Sequence, residues 1–106
     1  MSAVKLMVMY PWPADPQQFE GDYAAHLRML HDRMQIPADA RPYSVTRFVE
    51  TPMGRPPYIQ VFTMPFPSAE ALMATIATPA MQAIAADAAR ISTGGAPVIL
   101  VGADAA

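Results

Sequence analysis

Both histidines of the chain fall in the stretch YAAHLRMLHDR, residues 23–33. Imidazole is the side chain best suited to moving protons near neutral pH, so these two residues are the first place to look for chemistry. On a helix, each residue advances by about 100°, and Phe19, Tyr23, Leu27, Leu30 and Met34 then form one apolar stripe. His26 falls on that stripe and His31 lies well off it, so the two rings cannot form one site. His31, beside Asp32, reads as part of a solvated polar face. His26 points toward whatever the stripe packs against, where a polar group must find a hydrogen-bond partner or border a cavity. Two readings follow: a core histidine bonded to a backbone carbonyl, or a general acid or base lining a pocket. Tyr23, one turn earlier, is either plain core or a phenolic donor in the same pocket.

The other polar candidates are more scattered. Trp12 sits between two prolines, where it can wall a pocket or cover a sheet edge. Phe62 offers apolar wall. Gln60, Ser44 and Thr46 lie on segments that read as strands. Arg47 can meet a carboxylate or phenolate, or serve in an ion pair at an interface. No Ser–His–Asp set is legible. The chain has no cysteine, which removes disulfides, thiolate catalysis and zinc thiolate sites together. Two histidines on different helix faces give no metal-ligand spacing. Gly94-Gly95 precedes a strand rather than a helix, so it is no phosphate loop. Neither a metal nor an organic cofactor is expected.

The elements that must position these residues are readable from pattern. Residues 4–10 are short and apolar and are followed by Pro-Trp-Pro, which reads as a buried strand ended by prolines. Asp15 then caps a helix, with Pro16 at its first position and Gln18 at the capping-box spacing. Residues 42–51 and 57–66 read as two strands of a hairpin around a proline-rich loop. Ser68 caps a second helix, with Glu70 favourably placed in its first turn. Pro79 either kinks that helix or starts a new one capped by Thr78. Residues 97–101 form a last strand. The order β-α-β-β-α-β is the ferredoxin-like motif: an α+β fold with a four-stranded antiparallel sheet and two helices on one face.

Composition limits the function classes. The chain has 106 residues, enough for one domain spanning 1–106, and 53% of them are hydrophobic against only 15% charged. That charged share is below the usual quarter. The strands carry apolar side chains on both faces, although two helices can cover only one. A homodimer through the open sheet face is therefore expected. A formal charge of -2 with no basic run gives no footprint for nucleic acid. No stretch reaches the length of a membrane span, and a cytoplasmic protein is expected.

The order and spacing of several short pieces resemble the EthD family, named for a protein of ethyl tert-butyl ether degradation. They are Val4, Lys5, Leu6 and Tyr10; Pro13 to Pro16; Phe19, Tyr23 and His26; Ser68, Glu70 to Leu72, Thr78-Pro79, Gln82 and Ala86-Asp87; and Ser92 to Gly95. The resemblance covers nearly the whole chain. It implies a dimeric α/β barrel of ferredoxin-like subunits, and it makes His26 the best functional candidate. Family members continue that histidine as His-hydrophobic-Pro, where this chain has Arg28. The resemblance implies cofactor-free catabolic chemistry on aromatic or polyketide-like compounds.

The expectation is thus a small cofactor-free isomerase, cyclase or lyase acting on a hydrophobic oxygenated metabolite. His26 and Tyr23 are its catalytic pair, and Trp12, Phe62, Gln60 and Arg47 contact the substrate. The alternatives are a non-catalytic accessory or metabolite-binding dimer and a cofactor-free monooxygenase.

Overall fold

The computed structural model describes residues 2–106. Its elements run β1 (Val4–Pro11), α1 (Pro16–Arg33), β2 (Ser44–Arg47), β3 (Tyr58–Phe66), α2 (Ala69–Ile76), α3 (Pro79–Ile91) and β4 (Val98–Gly102). The four strands form one antiparallel sheet in the order β2-β3-β1-β4. This is the ferredoxin-like arrangement that the element order implies.

Local chemistry sets the boundaries. The Asp15 carboxylate accepts from the amides of Gln17 and Gln18, and Pro16 opens α1. The Ser68 hydroxyl accepts from the Ala71 amide. At Thr78-Pro79 the helix breaks rather than kinks: Thr78 caps a new helix by accepting from Met81, and Pro79 takes its first position. Thr and Pro each suit a helix start, and a proline amide cannot bond back into α2. The expected second helix is therefore two. The strand expected over 42–51 is likewise shorter. It pairs only over Ser44–Arg47 before the chain leaves the sheet toward a turn closed by the Thr51–Gly54 bridge.

The expected barrel is overturned. The sheet is open, with β2 and β4 as edge strands that do not pair with each other. Closing a sheet requires strand tilt and stagger accumulated over more strands, about eight in the small barrels. Here the helices instead fill one face of a four-stranded sheet, and the opposite face stays uncovered.

The register decides which side chains meet the helices. Leu6 opposes Met64, Val8 opposes Phe62 and Tyr10 opposes Gln60. The next pair is Pro11 with Tyr58, so Ile59 is an extra residue on β3. Pro11 has no amide to continue the ladder, and a bulge is the usual accommodation. The bulge lets Ile59 join Gln60 in the interior, both nearly inaccessible. Two apolar clusters result. One gathers Leu6, Leu30, Phe62, Met64, Leu72, Met81 and Ile84, and the other Tyr10, Phe19, Tyr23, Ile59, Ala88 and Ile91.

Two glycines make opposite demands on this frame. A β-carbon on Gly94 would lie 1.8 Å from the Trp12 carbonyl oxygen, whereas one on Gly21, in the exposed middle of α1, would meet nothing within 4 Å. Gly21→Ala is expected to stabilise the protein by about 0.5–1 kcal/mol. Gly94→Ala must push the segment after β1 away from the α3–β4 turn, and is expected to cost more than about 2 kcal/mol. Thermal melts of the two variants check this; equal shifts of the same sign would contradict the packing described.

Candidate functional site

The first helix buries Phe19, Tyr23, His26 and Leu30, the stripe its periodicity requires. His26 is the only polar residue among them. It lies where the two apolar clusters meet, in the wall of a cavity of about 200 Å³ between the helices and the sheet. Leu6, Val8 and Phe62 line the sheet side, and Ile84, Ala85 and Ala88 the α3 side. The space exists partly because α3 presents alanine at 85 and 88, where a larger side chain would fill it. Its rim includes Gln82 and Ile99. Ile99 is 55% exposed on the edge strand β4, so the cavity opens between α3 and that edge.

The hydrogen bonds of His26 define its chemistry. Nδ1 lies 2.8 Å from Asp87 Oδ2 on α3. A carboxylate can only accept, so Nδ1 carries a proton and donates it, and in the neutral ring Nε2 is the bare nitrogen. Nε2 has no hydrogen-bond partner among the described residues, and it is not sealed in by protein atoms. The partner of His26 is thus a carboxylate and not the backbone carbonyl of the core reading. Asp87 is itself fixed from the other side: Arg90 Nε and Nη2 lie 2.9 and 2.8 Å from its Oδ1. Burial pushes the Asp87 carboxyl up, but hydrogen bonds from His26 and Arg90, with their charge, outweigh it and hold it below its ordinary value.

Tyr10 also lines the cavity. Its hydroxyl, like His26 Nε2, has no partner among the described residues and is not sealed off. Burial, with the nearby Asp87 charge, pushes its pKa up, so it stays a phenol. Tyr23 stacks on His26 with ring centroids 5.7 Å apart and holds the imidazole plane from behind. Its own hydroxyl is sealed in protein near Gln60, whose Nε2 is likewise buried. Burial pushes the Tyr23 phenol up, helped by Tyr10 and Tyr43 and opposed by Gln60 and Arg47.

Of the residues singled out from sequence, His26 and Phe62 meet in the cavity wall, and Tyr23 supports the first from behind. Trp12, Gln60 and Arg47 lie outside that lining. The Trp12 indole donates to the Pro56 carbonyl and carries the Arg55 guanidinium 4.6 Å from its ring centre, which pins the β2–β3 loop. Arg47 bonds Gln60 Oε1 at 2.8 Å and pairs with Glu20 on α1. Ser44 and Thr46 oppose Thr63 and Val61 and sit on exposed backbone. His31 is half-buried beside an open groove, and it is tied down rather than free. Its Nδ1 lies 3.1 Å from the Pro37 carbonyl and its Nε2 2.6 Å from the Tyr43 hydroxyl, which ties the end of α1 to the loop before β2. Pattern reading did not place Asp87 and Arg90 beside His26, or Tyr10 in the cavity lining. The available signal was one carboxylate in an alanine-rich helix, with an arginine three residues on.

No family model matches the chain, and no curated protein matches it. Solved structures do. An ethyl tert-butyl ether D (EthD) family protein from Bacillus halodurans is 26% identical, with a TM-score of 0.80 over 96% of this chain and 98% of the other. A dimeric ferredoxin-like protein of unknown function from Jannaschia is 13% identical, with a TM-score of 0.69 over 94% and 97%. A hydroxynitrile lyase from Passiflora edulis is 12% identical, with a TM-score of 0.69 over 97% and 94%. The last two share the fold. Among the described residues, no helix is long and apolar enough to cross a membrane, and no group of three or more His, Cys, Asp and Glu is placed to hold a metal ion.

The lowered Asp87 carboxyl has a consequence for stability. Because its folded pKa lies below the ordinary 3.8, ionised Asp87 contributes stability that is complete above the unfolded value and lost as pH falls through the folded one. Asp87→Asn is expected to cost about 1.5–3 kcal/mol near neutral pH, as for a hydrogen bond to a charged group. The difference from wild type should shrink once the pH drops below about 4. Urea melts across this range check it. A pH-independent difference would mean that the Asp87 charge is not held by His26 and Arg90.

Proposed function

We propose that the chain is a member of the EthD family and a proton-transfer enzyme acting on a small, hydrophobic, oxygenated ring compound held in the His26 cavity. The observation that carries this is the state of one ring. His26 has its Nδ1 fixed by Asp87 and its Nε2 without a partner among the described residues, and the ring lines an apolar space. A histidine held in this way is a general base whose tautomer is already correct. Asp87 orients it and Arg90 anchors Asp87. Tyr23 backs the imidazole plane, and Phe62, Leu6 and Val8 supply wall. Isomerisation, cyclisation and elimination at activated carbons need only such a base and a site poor in water. The volume suits a modest ligand, since apolar cavities of about 150 Å³ take up benzene.

The working unit is a homodimer that covers the open sheet face. That face carries Met7, Met9 and Leu100 in cross-strand register, with Met7 and Met9 half-buried and Leu100 48% exposed. Apolar side chains on an otherwise bare face are what a second copy would bury. The dimeric ferredoxin-like protein from Jannaschia supports this reading. With the cavity on the opposite side of the sheet, each subunit keeps its own site.

Native mass spectrometry after incubation with small cyclic ketones, lactones and phenols tests both parts. The expected species is a dimer carrying one ligand per subunit, with binding lost in Ala88→Phe, which fills the cavity. Turnover of the bound compound should fall by about 10²–10⁴-fold in His26→Ala. A monomer at micromolar concentration would refute the dimer. Binding that ignores Ala88→Phe, or full turnover in His26→Ala, would refute the site.

A further inference from the structure

Tyr10 is the second polar group of the cavity wall, and nothing in the packing explains its hydroxyl. Buried tyrosines ordinarily give the phenol a partner. Phenylalanine would suit the aromatic contacts of Tyr10 equally well: its ring meets Phe19 at 5.4 Å and Tyr23 at 5.5 Å, both edge-on. The hydroxyl has no hydrogen-bond partner among the described residues. Unlike the hydroxyl of Tyr23, it is not closed off by protein, so it borders the space that Tyr10 lines together with His26. An unpaired donor and an unpaired base thus share one small apolar cavity.

The rest of the lining narrows the ligand further. It contains no arginine or lysine, and its remaining polar member, Gln82, lies at the rim. The nearest formal charge on the His26 side is the Asp87 carboxylate, which Arg90 reaches only on its far oxygen. An anionic ligand would meet that negative charge with no cation of its own to pair with. A neutral molecule with one acceptor oxygen and an apolar body meets no such cost.

We propose that Tyr10 is a catalytic residue that donates a hydrogen bond to the carbonyl oxygen of a neutral, enolisable cyclic ketone or lactone, while His26 Nε2 removes the proton from the adjacent carbon. The inference rests on reading His26 as the base. The C–H electron pair becomes a carbon–carbon double bond, and the carbonyl π pair moves onto oxygen, where the Tyr10 O–H stabilises it. The proton on Nε2 then returns to the same carbon or, in a β,γ-unsaturated ketone, to the γ carbon, which gives the conjugated isomer. No other reactant is consumed. Burial and the Asp87 charge hold the phenol proton on Tyr10, so Tyr10 acts as a hydrogen-bond donor throughout rather than as an acid.

The probe is a β,γ-unsaturated six-membered cyclic ketone followed by NMR in heavy water, which reads α-deuteration and isomerisation together. Wild type should exceed buffer, and Tyr10→Phe should slow both processes by about 10²–10³-fold, as when an oxyanion donor is removed. The bound carbonyl carbon should shift downfield in wild type and not in Tyr10→Phe, a readout independent of turnover and of small changes in folding. If Tyr10→Phe matches wild type in rate and carbonyl shift while His26→Ala loses activity, the base reading stands and the role of Tyr10 is overturned. If wild type is no faster than His26→Ala, the base reading fails and this inference fails with it.

Discussion

The bond between His26 Nδ1 and Asp87 Oδ2 is the interaction on which the rest of the interior depends. It joins α1 to α3 across an otherwise apolar layer. A lone imidazole there would cost the desolvation of an unpaired polar group, about 1–3 kcal/mol. Asp87 removes part of that cost and at the same time selects the tautomer. The Asp87 carboxylate would in turn be an expensive buried anion without the Arg90 guanidinium on its other oxygen. A surface charge, a partly buried carboxylate and a buried ring are therefore linked in series, and the series ends at a ring nitrogen with no hydrogen-bond partner among the described residues.

Packing around that series follows from small backbone facts. The bulge forced by Pro11 brings Ile59 and Gln60 inward and closes the Tyr10 end of the interior. The break at Thr78-Pro79 lets α3 set its own direction, so that Ile84, Asp87 and Ala88 face α1 and the sheet. Alanine at 85 and 88 leaves the cavity unfilled. The Tyr10, Phe19 and Tyr23 rings pack edge-on or stacked against one another and end on His26. This gives the imidazole a packed aromatic back wall, and the ring also lines the cavity that opens toward the β4 edge.

How much of this the sequence discloses depends on the range of each interaction. Helix caps at Asp15, Ser68 and Thr78 are local, and their residue types are sufficient to place them. The inward direction of His26 is also local, because it follows from a stripe of period 3.6. Its partner is not: Asp87 lies 61 residues away and meets His26 only once both helices are laid on the sheet. The partners of His31, Pro37 and Tyr43, are not legible either, because they come from a loop whose path no periodicity describes. The cavity was illegible for a related reason, since an empty volume is a difference between neighbouring side chains. The barrel came from family resemblance rather than from the residues, and the open sheet order corrects it.

Asp87 holds His26 with Nδ1 as the donor, which in the neutral ring leaves Nε2 as the bare nitrogen. Nitrogen NMR of isotopically labelled histidine, at a pH where the ring is neutral, reads this directly. The expected result is an Nδ1–H tautomer for His26, with the Nε2 resonance moving when a cyclic ketone is added and the tautomer preference lost in Asp87→Ala. An Nε2–H tautomer in the wild-type protein, or an Nε2 resonance indifferent to every cavity ligand, would contradict it.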